Sequence, residues 1–229
     1  MLFSIFNLKR NLEILLFIIS ILAVYAENTS AGISDNTDVS HLPNLGLGVV
    51  IKEDNQLPHL KYGVVTLEFV RKPILCKRHE CSNLSIFRGG ASVNGVDYYP
   101  SLIVHTSQLV SIVGEIDVNP AHIGKTVDIL IVAGFIPPNS NKVADYFMLD
   151  TQGKVWRWNR DIYSLVAVQE AITLPAMSVL EMYHGLLGGQ GKLLIYFGYR
   201  LESGLIAFNG GQPIVIRIVE KIDSEHPVD

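Results

Sequence analysis

Three short stretches hold residues whose types and spacing could do chemistry. The first is CKRHEC at 76–81, where Cys76 and Cys81 bracket His79. In an oxidising compartment two cysteines this close pair with each other. The loop they close is short, so a Cys76–Cys81 disulfide constrains the unfolded chain by about 2–3 kcal/mol at best and pins a local turn. The alternative is a metal site from Cys76, His79 and Cys81. It lacks the paired C-x₂₋₄-C units and further ligands of a zinc centre, so the expectation is a disulfide, with no metal and no cofactor. The second stretch is Gly188-Gly189-Gln190-Gly191-Lys192. It resembles a phosphate-binding loop only superficially. The first glycine is wrongly spaced, Leu193 stands where Ser or Thr would meet Mg²⁺, and a strand pattern follows instead of a helix. The third stretch is Trp156-Arg157-Trp158-Asn159-Arg160. In a strand the two indoles point the same way with Arg157 opposed. Trp and Arg dominate contact hot spots, and paired exposed indoles stack on sugar rings or peptide. Trp156, Arg157, Trp158 and Arg160 are therefore the candidate ligand- or partner-binding residues. The competing reading is that one or both tryptophans fill a core, as a buried Trp does in Ig-like sandwiches.

No other constellation suggests catalysis. The seven histidines form no H-x-H or HExxH spacing, and no G-x-S-x-G elbow occurs. A Ser–His–Asp set picked from so many candidates carries no information, because triads are recognised by geometry. The chain reads as non-catalytic. The alternatives are a hydrolase-type enzyme whose site assembles only in three dimensions, or a strand-exchanging filament or coat subunit.

The elements that would position these residues begin with an export signal. Lys9 and Arg10 precede an apolar run at 12–24, Val24-Tyr25-Ala26 follows, and the composition turns polar at Glu27. This is the layout of a secretory signal peptide over residues 1–26. The apolar run is shorter than the roughly 20 residues of a spanning helix. Cleavage removes two cations and one anion, so the mature chain is slightly more acidic than the net −4 of the whole. A mildly acidic protein has no electrostatic footprint for a phosphate backbone, so nucleic acid is not an expected partner. After cleavage no membrane association is expected. The periplasm, the outer surface or the medium would be the destination.

Residues 27–60 form a polar arm rich in Ser, Thr, Asn and Asp. Such composition buries too little apolar surface to offset its ordering entropy. Within it LGLGVVIK (45–52) has strand-like content. It reads as a first strand, or as a strand that adds to a neighbouring copy and mediates self-association. From residue 61 to 222 the pattern is strand after strand: 62–70, 109–118, 126–136, 145–150, 192–201 and 213–220. Gly, Pro and Asn punctuate them. Residues 161–182 are ambiguous, but Pro175 interrupts any long helix, and two strands near 170–174 and 178–184 are expected. In 213–220, Ile214, Ile216 and Ile218 share one face and Arg217 faces water. Short β runs at steady spacing predict an all-β, antiparallel sandwich, followed by a tail at 223–229.

FRGGASVNG (87–95), DVNPAHIGKTVDILIVAG (117–134), YFMLDTQGKVWRWN (146–159), VLEMYHG (179–185) and YFGYRLESGLIAFNGGQPIVIRI (196–218) follow one another in an order with a counterpart. The segment they span resembles an extracellular accessory domain found near the C-termini of secreted or surface proteins of gammaproteobacteria. The resemblance implies an Ig-like sandwich and assigns no activity. Members commonly carry a single Trp in a W-x-G position, whereas here Trp156 and Trp158 flank Arg157 and Asn159 follows. A glycan or a cell-surface protein is the kind of partner such a module would meet.

Overall fold

The computed structural model describes residues 42–47, 49–51, 84–140 and 144–220. The signal segment, Cys76 and Cys81, the strand expected at 62–70 and the tail at 223–229 lie outside the described residues. The described chain is all-β, with one turn of 3-10 helix at Ile162–Ser164.

The strands in order are β1 (Asn44–Leu47), β2 (Val49–Ile51), β3 (Ile86–Ser92), β4 (Ser101–His105), β5 (Leu109–Asp117), β6 (Thr126–Ile136) and β7 (Asp145–Leu149). There follow β8 (Val155–Trp158), β9 (Gln169–Thr173), β10 (Met177–Leu186), β11 (Gly191–Leu201), β12 (Ile206–Phe208) and β13 (Ile214–Val219). The smaller sheet runs β1-β3-β5-β10. The larger runs β2-β12-β11-β6-β7-β8, with β13 and β9 pairing β11 and β6 beside this path, and β4 pairing β13. The pairing is antiparallel except between β13 and β4, which run parallel. The LGLGVVIK segment is divided. Residues 44–47 pair with β3 in one sheet and 49–51 with β12 in the other, so in this structure the segment pairs within its own chain.

Alternation explains which strands face one layer and which face two. In β5, Val110, Ile112 and Ile116 point into the inter-sheet core, while Leu109 and Asp117 are exposed on the other face. β13 buries Ile214, Ile216 and Ile218 and exposes Arg217, as its alternation predicts. β6 and β11 differ, being apolar on both faces. Ile129, Ile131, Phe135, Leu193, Ile195 and Phe197 enter the inter-sheet core, where Phe87 meets Phe197 edge-on at 5.6 Å. Their alternate residues Leu130, Val132 and Tyr196 form a second apolar layer on the outer face. Tyr146, Met148, Trp158 and Phe208 join it, and Ile162, Leu165 and Ala167 from the segment after β8 cover it. Continuous apolar runs such as TVDILIVAGFI are what burial on both faces requires. Each fully buried side chain of this kind contributes about 1.5–3 kcal/mol.

Two glycines permit the central approaches. A Cβ at Gly198 would stand 2.0 Å from the Ala207 carbonyl oxygen, and one at Gly114 would stand 2.7 Å from the Phe197 ring.

Candidate ligand-binding cleft

The tryptophan segment follows a tight β7–β8 hairpin. Asp150 Oδ1 accepts the backbone N–H groups of Gln152 and Lys154, and Gly153 takes φ 74°. Trp156 lies opposite Met148 and Trp158 opposite Tyr146, so both indoles share the outer face of the larger sheet. Their surroundings differ sharply. Trp158 is 5% exposed, packs edge-on against Tyr146 at 6.1 Å, and donates its Nε1–H to the Asp161 carbonyl at 2.8 Å. Trp156 is 43% exposed, because the chain folds back over its neighbour and stops short of it. Its Nε1–H donates to Asp150 Oδ2 at 2.8 Å, and the Lys154 ammonium sits 3.8 Å over its ring. Burial alone would raise the Asp150 pKa. The hydrogen bonds from Trp156, Lys154 and Gln152, with the Lys154 charge, hold it below the usual carboxylate range.

The two arginines divide the same way. Arg157 is exposed and pairs with Asp145 at 2.6 Å. Arg160 takes φ 72°, donates to the Ala144 carbonyl at 2.9 Å and lies 5.0 Å over the Tyr146 ring. Trp156 and Arg157 are thus available to a partner, while Trp158 and Arg160 fasten the covering segment to the sheet.

That segment builds a cleft that sequence reasoning missed. Asn159 Oδ1 accepts the Asp161 N–H and the Ser164 hydroxyl, and Asp161 Oδ1 accepts the Tyr163 N–H. These bonds hold the 3-10 turn that buries Ile162 and leaves Tyr163 58% exposed. Below the turn, register places Arg200 of β11 opposite Asp128 of β6. Arg200 donates Nη2–H at 2.8 Å and Nε–H at 3.2 Å to Asp128 Oδ2, and Nη1–H to the Leu165 carbonyl at 3.1 Å. Asp128 Oδ1 accepts the Ala171 N–H at 3.1 Å, at the β6–β9 bulge where Ala171 takes φ 53°. A non-glycine residue in this left-handed region is strained, and such bulges recur beside binding sites. Asp128, Arg200, Tyr163, Glu202, Gly204 and Ile206 line a cavity of about 270 Å³, close to the lower limit of small-molecule sites.

Next to it, one step further along the sheet, the outer-face row reads Leu130, Gly198 and Phe208. Beside this row lies an apolar gap of about 40 Å³, with Ile162 and Ile206 lining both spaces.

At the opposite face of β11, Tyr199 is fully buried and its hydroxyl lies 2.7 Å from both Ser85 Oγ and His122 Nδ1. Ser85 Oγ also accepts the Asn119 N–H at 3.0 Å. All three groups are satisfied when Ser85 donates to Tyr199 and Tyr199 donates to a neutral His122. Burial, then the Lys125 charge, lowers the His122 pKa. Burial raises that of Tyr199, against the Ser85 hydrogen bond. These hydrogen bonds tie the 119–125 connection to the core. The glycine-rich stretch at 188–191 joins β10 to β11 and leads into a strand. Among the described residues no group of three or more His, Cys, Asp or Glu side chains is placed to hold a metal ion.

No protein-family model and no curated protein matches the sequence. Among solved structures, the C-terminal domain of wzt is similar over 62% of this chain and 81% of that domain, at 12% identity and a TM-score of 0.30, a likeness too slight to carry an argument.

Proposed function

We propose that this chain is an exported, non-catalytic, Ig-like β-sandwich module that recognises carbohydrate at one end of its larger sheet. The observation that carries the reading is the cleft itself, with a fixed Asp128–Arg200 pair as its floor and the exposed Tyr163 ring at its margin. A pyranose presents apolar C–H faces and a hydroxylated edge. The Tyr163 ring offers an apolar surface to the faces. The remaining N–H groups of Arg200 and the carboxylate of Glu202 offer donors and acceptors to the edge. Because Arg200 and Asp128 already fix each other, little side-chain entropy is lost on binding. Trp156, held by Asp150 and Lys154 on the same face, is a second aromatic contact for a longer chain.

The test is a glycan array probed with the mature chain, followed by calorimetric titration of each saccharide that binds. Tyr163→Ala and Glu202→Gln should each weaken binding about ten-fold or more, equivalent to about 1.4 kcal/mol. Saccharide binding indifferent to both substitutions, or capture only of proteins, defeats the proposal.

A further inference from the structure

We infer that the cleft selects pyranosides bearing a methyl group, and that the methyl seats in the apolar gap behind Ile162 and Ile206. The inference rests on the carbohydrate reading above and specifies its ligand. Two observations carry it. First, the two spaces lie in adjacent rows of one sheet face. Asp128 and Arg200 form the first row with Ile206, and Leu130, Gly198 and Phe208 form the second. Two residues along a strand span about 7 Å, comparable to the width of a pyranose with one substituent. A ring whose hydroxyls meet the Arg200 row therefore carries a far-edge substituent to the Gly198 row.

Second, the gap has the size and character of a methyl site. It measures about 40 Å³, and its walls are apolar side chains apart from the backbone of Gly198 and the rings of Trp158 and Tyr196. The Trp158 N–H is turned away to the Asp161 carbonyl. A water needs two to four polar partners, about 3 on average, and apart from Tyr196 the lining side chains supply none. A hydroxymethyl group would find few partners for its hydroxyl there, whereas a methyl loses nothing.

Two sources of such a methyl are an acetamido group and a deoxygenated terminal carbon, and the experiment separates them. The mature chain is titrated by heteronuclear NMR with N-acetylglucosamine against glucose, L-fucose against L-galactose, and L-rhamnose against L-mannose. Burying one methyl-sized group predicts about four-fold tighter binding of the methyl-bearing sugar in at least one pair, with shifts at Leu130, Ile162 and Phe208. The pair that discriminates identifies which methyl is read. Val132→Ile, which adds a carbon to the wall of the gap, should drive that ratio toward one while the folded spectrum is retained. Equal binding within all three pairs, sensitive to Tyr163→Ala, overturns the methyl inference and leaves the carbohydrate reading standing. Binding that ignores Tyr163→Ala, or no binding by any of the six sugars, overturns both. A ratio unchanged by Val132→Ile also overturns the seat in the gap.

Discussion

Replacing Tyr199 by Phe tests the buried chain that anchors the 119–125 connection. The ring stays, so no cavity opens, and only the hydroxyl shared by Ser85 and His122 is lost. Ser85 is 3% exposed, and its hydroxyl hydrogen is left without its acceptor. A stranded buried polar group costs about 1–3 kcal/mol. His122 is only partly buried, so water replaces much of what its Nδ1 loses. The net expectation is about 2 kcal/mol, which lowers Tm by about 4–8 °C for a chain of this size. The pH dependence supplies an independent check. The folded state lowers the His122 pKa, so below about 6.5 the unfolded chain binds more protons than the folded one. His122 therefore contributes stability above about pH 6.5 that is lost as pH falls through the lowered folded value. Burial and the Lys125 charge, which lower this pKa, both survive in Tyr199→Phe, so the pH dependence should persist there while the overall stability falls. Urea unfolding of both proteins at about pH 8 and about pH 5 measures both effects. A destabilisation under about 0.5 kcal/mol would refute the hydrogen-bond assignment, and a pH slope lost in Tyr199→Phe would refute burial and Lys125 as its cause.

Asp128→Ala removes acceptors from Ala171 and Arg200. Because the paired side chains are 28% and 26% exposed, solvent recovers part of the loss, and about 2 kcal/mol by urea unfolding is expected. Ala171→Gly relieves left-handed strain of about 1–2 kcal/mol at some entropic cost, so it should be neutral to stabilising by the same assay. Trp158→Ala should cost about 3–5 kcal/mol, whereas Trp156→Ala should cost under about 1 kcal/mol; comparable losses would contradict the different burial of the two rings. Mass spectrometry of the exported protein should find Glu27 at its start and no free thiol at Cys76 or Cys81, and an intact Met1 or two titratable thiols would remove the export or disulfide reading.

The strand elements were legible where the run was long and its period clear. β6, β11 and β13 match the expected 126–136, 192–201 and 213–220 closely, and the two strands flanking Pro175 appear as β9 and β10. β4 escaped notice because only Val104 of its five residues is buried, leaving no periodic signal. Its parallel pairing with β13 is a tertiary fact that no local pattern encodes. LGLGVVIK reads as one strand, but residues 44–47 and 49–51 serve different sheets. The tryptophans illustrate the limit of periodicity. Period two places both on one face, as observed, yet burial was decided by where the following chain lies. Asp128 and Arg200 are 72 residues apart. Their signal was a charge interrupting each of two apolar runs, and it becomes a site only once those runs are paired in register.

That pairing also explains why the cleft lies where it does. β6 and β11 are covered on both faces for most of their length, the outer cover being the segment that holds Ile162, Leu165 and Ala167. The cover is short and runs out at the Asp128–Arg200 row. A residue under the cover must be apolar, because a polar group there would be buried unpaired. A residue at its margin sits half in water, where a charge pair is tolerated and can tie the cover down, as Arg200 does through the Leu165 carbonyl. The boundary between the dry layer and solvent is therefore the place on this sheet face where an apolar gap and fixed polar groups adjoin. A ligand that is apolar on one side and hydroxylated on the other matches such a boundary. Extending the cover by one more apolar turn would stabilise the sandwich and abolish the site.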